Sequence, residues 1–462
     1  MDKAKDGLAG TDGLAIPQRY WAIATIALGL VMAVLDGAIA NVALPTIARD
    51  LNASPAASVW VVNAYQLAVT VSLLPLAALG DIIGYRRVYQ AGLVVFTLAS
   101  LLCARSDSLT TLALARMAQG FGASGIMSVN TALIRFIYPR RLLGTAMGVN
   151  ALIVAVSSAV GPTVASGILS VAPWQFLFYV NVPTGLAALL LGLRTLPRTA
   201  RSPHRFDGLS ATLNALTLGL LIVAIDGLGQ GENTVLITLE LVVAGVAGWL
   251  LVRRQLSRAS PLLPIDLLRI PIFALSIATS ICSFAAQTLA YVSLPFFLQD
   301  ALGRSQVATG LLMTPWPLTV AIVAPIAGRL ADRHPAGLLG GIGLVSMAAG
   351  LVLLAALPAH PATADIVWRM AVCGFGFGLF QTPNNRAMIG ASPRSRSGAA
   401  GGMLSTARLL GQTGGAALVA VIFGLAPAHG TTLTLLVGAG FSLGAAGVSL
   451  LRLRQSIPSA AE

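Results

Sequence analysis

The sequence predicts an all-α polytopic membrane protein with fourteen transmembrane helices, and three observations carry that prediction. Hydrophobic residues make up 56% of the 462 positions and charged residues only 10%, a balance outside that of ordinary water-soluble domains. The apolar residues fall in continuous runs of about 20, the length a helix needs to cross the hydrocarbon core. The basic residues sort by loop. With the N-terminus inside, all but six of the 29 Lys and Arg fall in predicted cytoplasmic segments, the asymmetry that orients polytopic proteins and here places both termini in the cytoplasm.

The runs lack the alternation of a β-barrel, so helices are the way to satisfy the backbone in lipid. Six spans come first, at 20–44, 56–79, 88–105, 109–132, 143–170 and 174–194. A pair follows at 207–227 and 234–252, and six more at 270–298, 305–328, 336–357, 364–388, 398–424 and 430–451. Losing one span would invert every later loop, so the basic loops support an even count. The expected organisation is a cytoplasmic tail at 1–19, an N-terminal six-helix half at 20–200, an inserted helix pair with its linkers at 201–260, a C-terminal six-helix half at 261–452 and a second tail at 453–462.

Several classes are excluded or unsupported. The net charge of +13 belongs to membrane topology and gives no reason to expect nucleic acid as a partner. Cys103, Cys282 and Cys373 lie in three separate spans, which indicates neither a disulfide framework nor a zinc site. The first 19 residues precede an apolar run too long for a signal peptide, so no cleavage is expected. No phosphate-binding glycine loop with Lys and no nucleophile constellation occurs, so an enzyme is not expected, nor any cofactor or metal.

Two stretches repeat in order. Pro75-Leu76-Ala77, then Asp81, Gly84, Arg86 and Arg87, is echoed by Pro325-Ile326-Ala327, then Asp332 and Arg333. Arg116-Met117-Ala118-Gln119-Gly120-Phe121-Gly122 is echoed by Arg369-Met370-Ala371-Val372-Cys373-Gly374-Phe375-Gly376. Asp81 to Arg116 is 35 residues and Asp332 to Arg369 is 37. An ordered series with matched spacing implies two related halves, the build of transporters that bind cargo between their halves near the bilayer midplane.

The segment from Gly80 to Arg87, the stretch from Arg116 to Gly122, and Gly161-Pro162 resemble the loop 2/3, helix 4 and helix 5 motifs of the major facilitator superfamily. Leu35-Asp36-Gly37-Ala38-Ile39-Ala40-Asn41-Val42-Ala43-Leu44-Pro45 resembles the helix 1 motif of its fourteen-helix drug:proton antiporters. Trp174-Gln175-Phe176 with Asn181-Val182-Pro183-Thr184-Gly185 is similar to that family's approach to helix 6, and Pro261-Leu262-Leu263 to Phe273 to its lead into the second half. The chain departs from the pattern at Ile82, Ala77 and Ala38, which puts the gating contacts of the first half in question. The resemblance implies a major facilitator fold. It makes Asp81 a latch that accepts hydrogen bonds from a neighbouring helix N-terminus, with Gly84, Arg86 and Arg87 beside it and Asp332 and Arg333 as counterparts, while Gly161-Pro162 bends helix 5 where the halves meet.

Charges inside the membrane carry the chemistry. An Asp near the centre of a span costs roughly 2.5–3.5 kcal/mol on insertion scales, and Asp36 has no basic residue three or four positions away. At ~1.5 Å per residue Asp36 lies about 12 Å from the outer end of its span and Arg116 about 10 Å from the outer end of its own. The two are expected to meet across a central cavity, with Asp36 exchanging a proton when the guanidinium approaches or withdraws. Arg369 is expected to pair with Asp365, four residues earlier. Arg408 lies near mid-membrane with no acid on its helix; substrate binding and helix bracing both remain open for it, as structural and lipid-facing roles do for Glu240. Asp36, Asn41, Gln287, Tyr291, Trp316, Phe377 and Gln381 are the expected substrate wall, since aromatics with few polar groups suit amphipathic ligands. The expected function is a proton-coupled antiporter of the bacterial inner membrane, acting as a monomer among membrane lipids and exporting lipophilic, monocationic or neutral toxic compounds. A dedicated exporter of one metabolite or antibiotic, or a membrane sensor or lipid-handling protein, are the alternatives.

Overall fold

A computed structural model describes residues 13–199, 206–230, 233–256, 265–358, 360–392 and 397–454. The chain enters the bundle through α1 (Gln18–Asp50), a short α2 (Pro55–Ser58), α3 (Trp60–Ile83), α4 (Tyr85–Ala104), α5 (Leu109–Ile137), α6 (Leu143–Leu169), a short α7 (Phe176–Tyr179) and α8 (Asn181–Thr195). Two helices, α9 (Gly208–Gln230) and α10 (Thr234–Leu256), precede the second set. That set is α11 (Pro271–Phe296), α12 (Gln306–Met313), α13 (Pro315–Leu330), α14 (Ala336–Ala355), α15 (Thr363–Ala391), α16 (Ser397–Leu425) and α17 (Gly430–Leu451). Lys3, Lys5, Arg201, His204, Arg205, Arg258, Arg394, Arg396 and the Pro261-Leu262-Leu263 motif lie outside the described residues.

Among the described residues, twelve helical stretches are long and apolar enough to cross a membrane, thirteen when Leu152–Ser158 and Val160–Leu169 are taken as one span with a 42° bend. The remaining expected span, 109–132, is the 29-residue α5, whose hydropathy is lowered by Arg116, Gln119 and Asn130. These polar residues are buried. They face protein rather than lipid, where satisfying them is cheapest.

The sequence repeat is a packing repeat. In the first half α5 packs against both α3 and α4, and in the second α15 packs against both α13 and α14. A Cβ on Gly120 would come within 2.5 Å of the Tyr65 carbonyl oxygen of α3, and one on Gly122 would collide with the backbone of Phe96 on α4. Gly374 stands against the Trp316 carbonyl of α13 in the same way, and Gly376 against the Met347 backbone of α14. The repeated Gly-Phe-Gly therefore lets one helix touch two neighbours backbone to backbone, as small residues do in membrane bundles.

The inserted pair is attached through α9, which packs on α3 of the first half and α16 of the second, whereas α10 packs on α9. Asn214 Nδ2 donates to the Val71 carbonyl at 3.0 Å, and Ile222 shares a buried cluster with Leu67 and Ala417. At the open end of the pair Arg254 Nη2 meets Asp207 Oδ1 at 3.0 Å. Hydrogen bonding from Arg254 holds the Asp207 carboxyl down at about 2, so this clasp is complete above about pH 4 and is lost only as the pH falls through about 2.

The halves touch near the ends that carry Asp50 and His429. Gln299 donates to the Val42 carbonyl at 2.8 Å and accepts from Thr46 at 3.3 Å. Thr163 and Thr314 hydroxyls meet at 2.8 Å, and Gly310 is pressed against the Pro162 carbonyl and Ser166. Nearer the middle, Thr70 and Thr413 share a hydrogen bond at 3.0 Å.

Adding one methyl at these contacts should be costly. Gly120→Ala and Gly374→Ala are each expected to destabilise the protein by about 1–3 kcal/mol through overpacking, while Gly167→Ala, with nothing near the added carbon, should be neutral or mildly stabilising through helix propensity. Thermal melting of the purified protein in detergent compares the three; equal melting temperatures would contradict the packing repeat.

Candidate functional site

Asp36 of α1 is 3% exposed and Arg116 of α5 is fully buried, and the two form an ion pair through Arg116 Nη1 and Asp36 Oδ2. The carboxylate has two further donors: Gln119 Nε2 reaches Oδ1 at 2.9 Å and Asn181 Nδ2 reaches the same oxygen at 2.7 Å. Gln119 lies one turn beyond Arg116, and its Oε1 accepts from Arg116 Nη1 at 2.6 Å. Its amide nitrogen also donates to Ser100 of α4 at 2.8 Å. Arg116 Nε donates to the Val61 carbonyl of α3 at 2.9 Å. The guanidinium carbon stands 4.3 Å from the Tyr65 ring centroid and 5.5 Å from that of Phe178.

Each helix has a local reason to present its group. Asn181 opens α8 after the short α7, and that corner is fixed to the end of α1 by Trp174 Nε1 donating to Asp50 at 3.0 Å. Tyr65 is oriented by its hydroxyl, which donates to the Ala33 carbonyl at 2.8 Å. Gly37, next to Asp36, leaves room for the Tyr65 ring, 3.6 Å from where a Cβ would stand. Gly161 of α6 lets Ala38 approach closely from the other side of α1.

The expected pairing of Asp36 with Arg116 is present, but the pair does not face each other across an open cavity. All of its partners belong to the first half, and Tyr65 with Phe178 covers the guanidinium. Sequence reasoning missed Gln119 and Asn181 as partners. A Gln one turn from an intramembrane Arg was a signal for the first; the second stood in a motif read only for its resemblance.

At the Gly84 end, Asp81 does not cap a helix N-terminus. It accepts from Tyr85 Oη at 2.5 Å, because Tyr85 is four residues on and its own backbone N–H is taken by Thr199 Oγ1 at 3.0 Å. Gly84 has φ of +102°, which suits glycine. Arg86 donates to the Leu193 carbonyl at 2.5 Å, and with Gly84, Arg87 and Arg198 it lines a cavity of about 570 Å³. In the second half Asp332 pairs with Arg386 of α15, while Arg333 is exposed. The bend near Gly161 and Pro162 is present, but Gly161 packs on α1 of its own half; Pro162 is the one at the junction, against Gly310.

The expected Arg369–Asp365 pair is absent among the described residues. Arg369 Nη1 caps the Leu353 carbonyl at 3.0 Å and its guanidinium lies 5.2 Å from the Trp368 ring, whose Nε1 donates to Asp365 at 3.4 Å. Of the expected substrate wall, Trp316 and Phe377 are buried in the core: Tyr291 lies 5.2 Å from Trp316, and Phe284 5.3 Å from Phe377. Asn41 is 8% exposed with Oδ1 unpartnered. Gln287, Tyr291 and Gln381 are half-buried. Arg408 is half-buried, 5.9 Å from the Phe284 ring, and Glu240 has one buried oxygen without a partner.

Breaking the central pair from one side should cost more than removing it. Arg116→Leu strands a buried carboxylate and is expected to destabilise by about 3–5 kcal/mol, whereas the double variant with Asp36→Asn should recover much of that. A double-mutant cycle of melting temperatures in detergent measures the coupling. Asn181→Leu, which removes one donor, should cost about 1–3 kcal/mol.

A model of the Major Facilitator Superfamily matches residues 26–416. The chain is 60% identical to "Uncharacterized transporter YebQ" of Escherichia coli (strain K12), over 96% of this chain and 98% of that protein. It is 31% identical to "Multidrug efflux pump LfrA" of Mycolicibacterium smegmatis, over 88% and 81%, and 30% identical to "Riboflavin transporter RibZ" of Clostridioides difficile, over 88% of each. Among solved structures, a bacterial homolog of the human lysosomal transporter Spinster superposes with a TM-score of 0.68 at 15% identity, over 96% of this chain and 98% of that one, a likeness of fold. With its helical bundle, its apolar spans and a match that runs from α1 into α16, the chain belongs to the Major Facilitator Superfamily and is a multi-pass membrane transporter of small molecules, not an enzyme.

Proposed function

We propose that the protein is a proton-coupled antiporter that exports amphipathic organic compounds by alternating access, seated in the bacterial inner membrane with both termini in the cytoplasm. The observation that carries the reading is the Asp36–Arg116 pair, a carboxylate buried at mid-membrane depth with three donors. Such a group is kept at a cost, and it has two self-consistent states. Ionised, it holds Arg116, Gln119 and Asn181 together. Protonated, it loses the charge that binds the guanidinium, so taking up a proton and releasing Arg116 are one event.

All three donors move with the same half as Asp36. Rocking of one half against the other therefore leaves the network intact, and proton exchange requires a local shift of α1 against α5 and α8. Tyr65 is placed to report that shift, since its hydroxyl is bonded to α1 and its ring covers Arg116. The resemblance to drug:proton antiporters and the efflux pump among the relatives support export. The basic loops at the Gly84 end support the orientation. The relative named as a riboflavin transporter favours a second reading, in which the protein carries one compound.

Transport in liposomes tests both. With a compound panel and an imposed pH gradient, wild type is expected to accumulate substrate in a gradient-dependent way and Asp36→Asn to lose that dependence; gradient-driven transport by Asp36→Asn would end the proton-carrier role. Transport of several unrelated compounds supports export of a broad class, and transport of one compound supports the dedicated carrier.

A further inference from the structure

The second half holds a charge that the proton site does not use. Arg408 of α16 lies eleven residues from Ser397, about 16 Å along its helix, and among the described residues it has neither an ion pair nor a hydrogen bond. Its Nε is buried without a partner, and its terminal nitrogens, equally unpartnered, are its accessible atoms. Tyr65 of α3 lies within electrostatic reach of Arg408 and also of Asp36 and Arg116.

Its position on α16 faces the space between the halves. Gly411 and Gly415 press that helix against Ile281 and Ala285 of α11, while Leu409 joins a cluster of the first half and Thr413 bonds Thr70. At 100° per residue, Arg408 and Gln412 fall between the face turned to α11 and the face turned to α3. Three amides lie one turn along their helices from the Arg408–Phe284–Phe377 series of contacts. Gln412 is one turn beyond Arg408, Gln287 is one turn beyond Phe284, and Gln381 is one turn beyond Phe377, whose ring packs on Phe284. All three are half-buried, and among the described residues none makes a side-chain hydrogen bond.

Asp36 and Arg452, two further charges within the bundle, are engaged elsewhere. Asp36 already accepts from Arg116, Gln119 and Asn181, and Arg452 at the Gly84 end donates to Asn384 at 2.6 Å and Ser276 at 3.0 Å. A guanidinium with free fork nitrogens, flanked by amides and an aromatic face, matches an oxyanion on an apolar body. The same site disfavours a cation, because like charge in a low dielectric is repelled.

We propose that Arg408, with Gln287, Gln381 and Gln412, anchors an oxyanion of the transported compound, so that the cargo is an amphipathic organic acid such as an aromatic carboxylate. This deepens the exporter reading by naming the substrate class of its site, and rests on that reading for the site's being the transport site. Proton coupling is not required for it.

The test uses two probes with one ring system and opposite charge, 1-naphthoate and 1-naphthylmethylammonium, and equilibrium dialysis against the full-length protein in detergent at pH 7 with no gradient. Wild type is expected to bind naphthoate at least tenfold more tightly. Arg408→Gln should erase the preference, and Arg408→Lys should keep part of it, since a point charge replaces the fork. Equal binding of the two probes, tighter binding of the ammonium, or a preference unchanged in Arg408→Gln overturns the proposal. Should Arg408→Gln not fold, Gln412→Leu and Gln381→Leu keep the charge and read the same site: each should weaken naphthoate by threefold or more without affecting the ammonium, and no change in either overturns it. Loss of gradient-driven transport with the binding preference intact would sink antiport alone.

Discussion

One buried carboxylate organises the first half. Asp36 draws α1, α5 and α8 to a common point, and through Gln119 and Arg116 it also engages α4 at Ser100 and α3 at Val61. The unfavourable step is desolvation of two opposite charges, which mutual attraction offsets only when the remaining donors and acceptors are also satisfied. Here they nearly are. The one buried nitrogen of the guanidinium without a partner is Nη2, so two of its five N–H donors are left without an acceptor. A group held this tightly is fixed while charged and released when neutral, which is what an element with two discrete arrangements requires.

The duplication preserved packing and let charge diverge. Gly120 and Gly374 serve their neighbours' carbonyls alike, and Tyr65 and Trp316 supply those carbonyls from matched positions. Arg116 and Arg369 begin the repeated stretches, yet only Arg116 meets a carboxylate; Arg369 lies near the bundle end and caps a backbone oxygen. The second half instead carries Arg408, for which the repeat offers no counterpart. Backbone contact through glycine tolerates no substitution of size, whereas a polar side chain can be moved as long as some partner is found. The halves therefore match in shape and differ in what they can bind.

The sequence made much of this legible, and the limits are physical. Composition and run length gave the spans because lipid imposes a length and forbids unpaired backbone. The depth of Asp36 and Arg116 gave their pairing because helix rise converts position into height. Azimuth was harder. Height does not say whether two groups meet in a cavity or inside one half, so the pair was placed across an open space although aromatic rings seal it. Arg369 was assigned to Asp365 because spacing of four permits a pair, but Trp368 and the Leu353 carbonyl compete for both groups. Asp81 was read through a motif that puts it at a helix end, and the nearer Tyr85 hydroxyl takes that oxygen. Trp316 and Phe377 were expected on the substrate wall since aromatics suit ligands; they suit cores equally, and both are buried.

Charge inside the bundle separates two tasks. In the first half a negative and a positive group cancel within a sealed network, so cargo entering between the halves meets no net field from them. In the second half one guanidinium stands uncancelled beside an aromatic ring, and its field is not screened by any carboxylate among the described residues. A cationic compound would have to approach that guanidinium with the Asp36 carboxylate already engaged by Arg116, Gln119 and Asn181. Freeing Asp36 for it would strand Arg116, a penalty of about 3–5 kcal/mol by the measure of broken buried pairs. Tyr65, within electrostatic reach of both guanidinium groups, is bonded to α1 and lies against Arg116. An acid bound at Arg408 would add negative potential on that side, which favours the cationic Arg116 but disfavours the ionised Asp36; cargo and proton would then influence one another through the field between the halves without sharing a binding group.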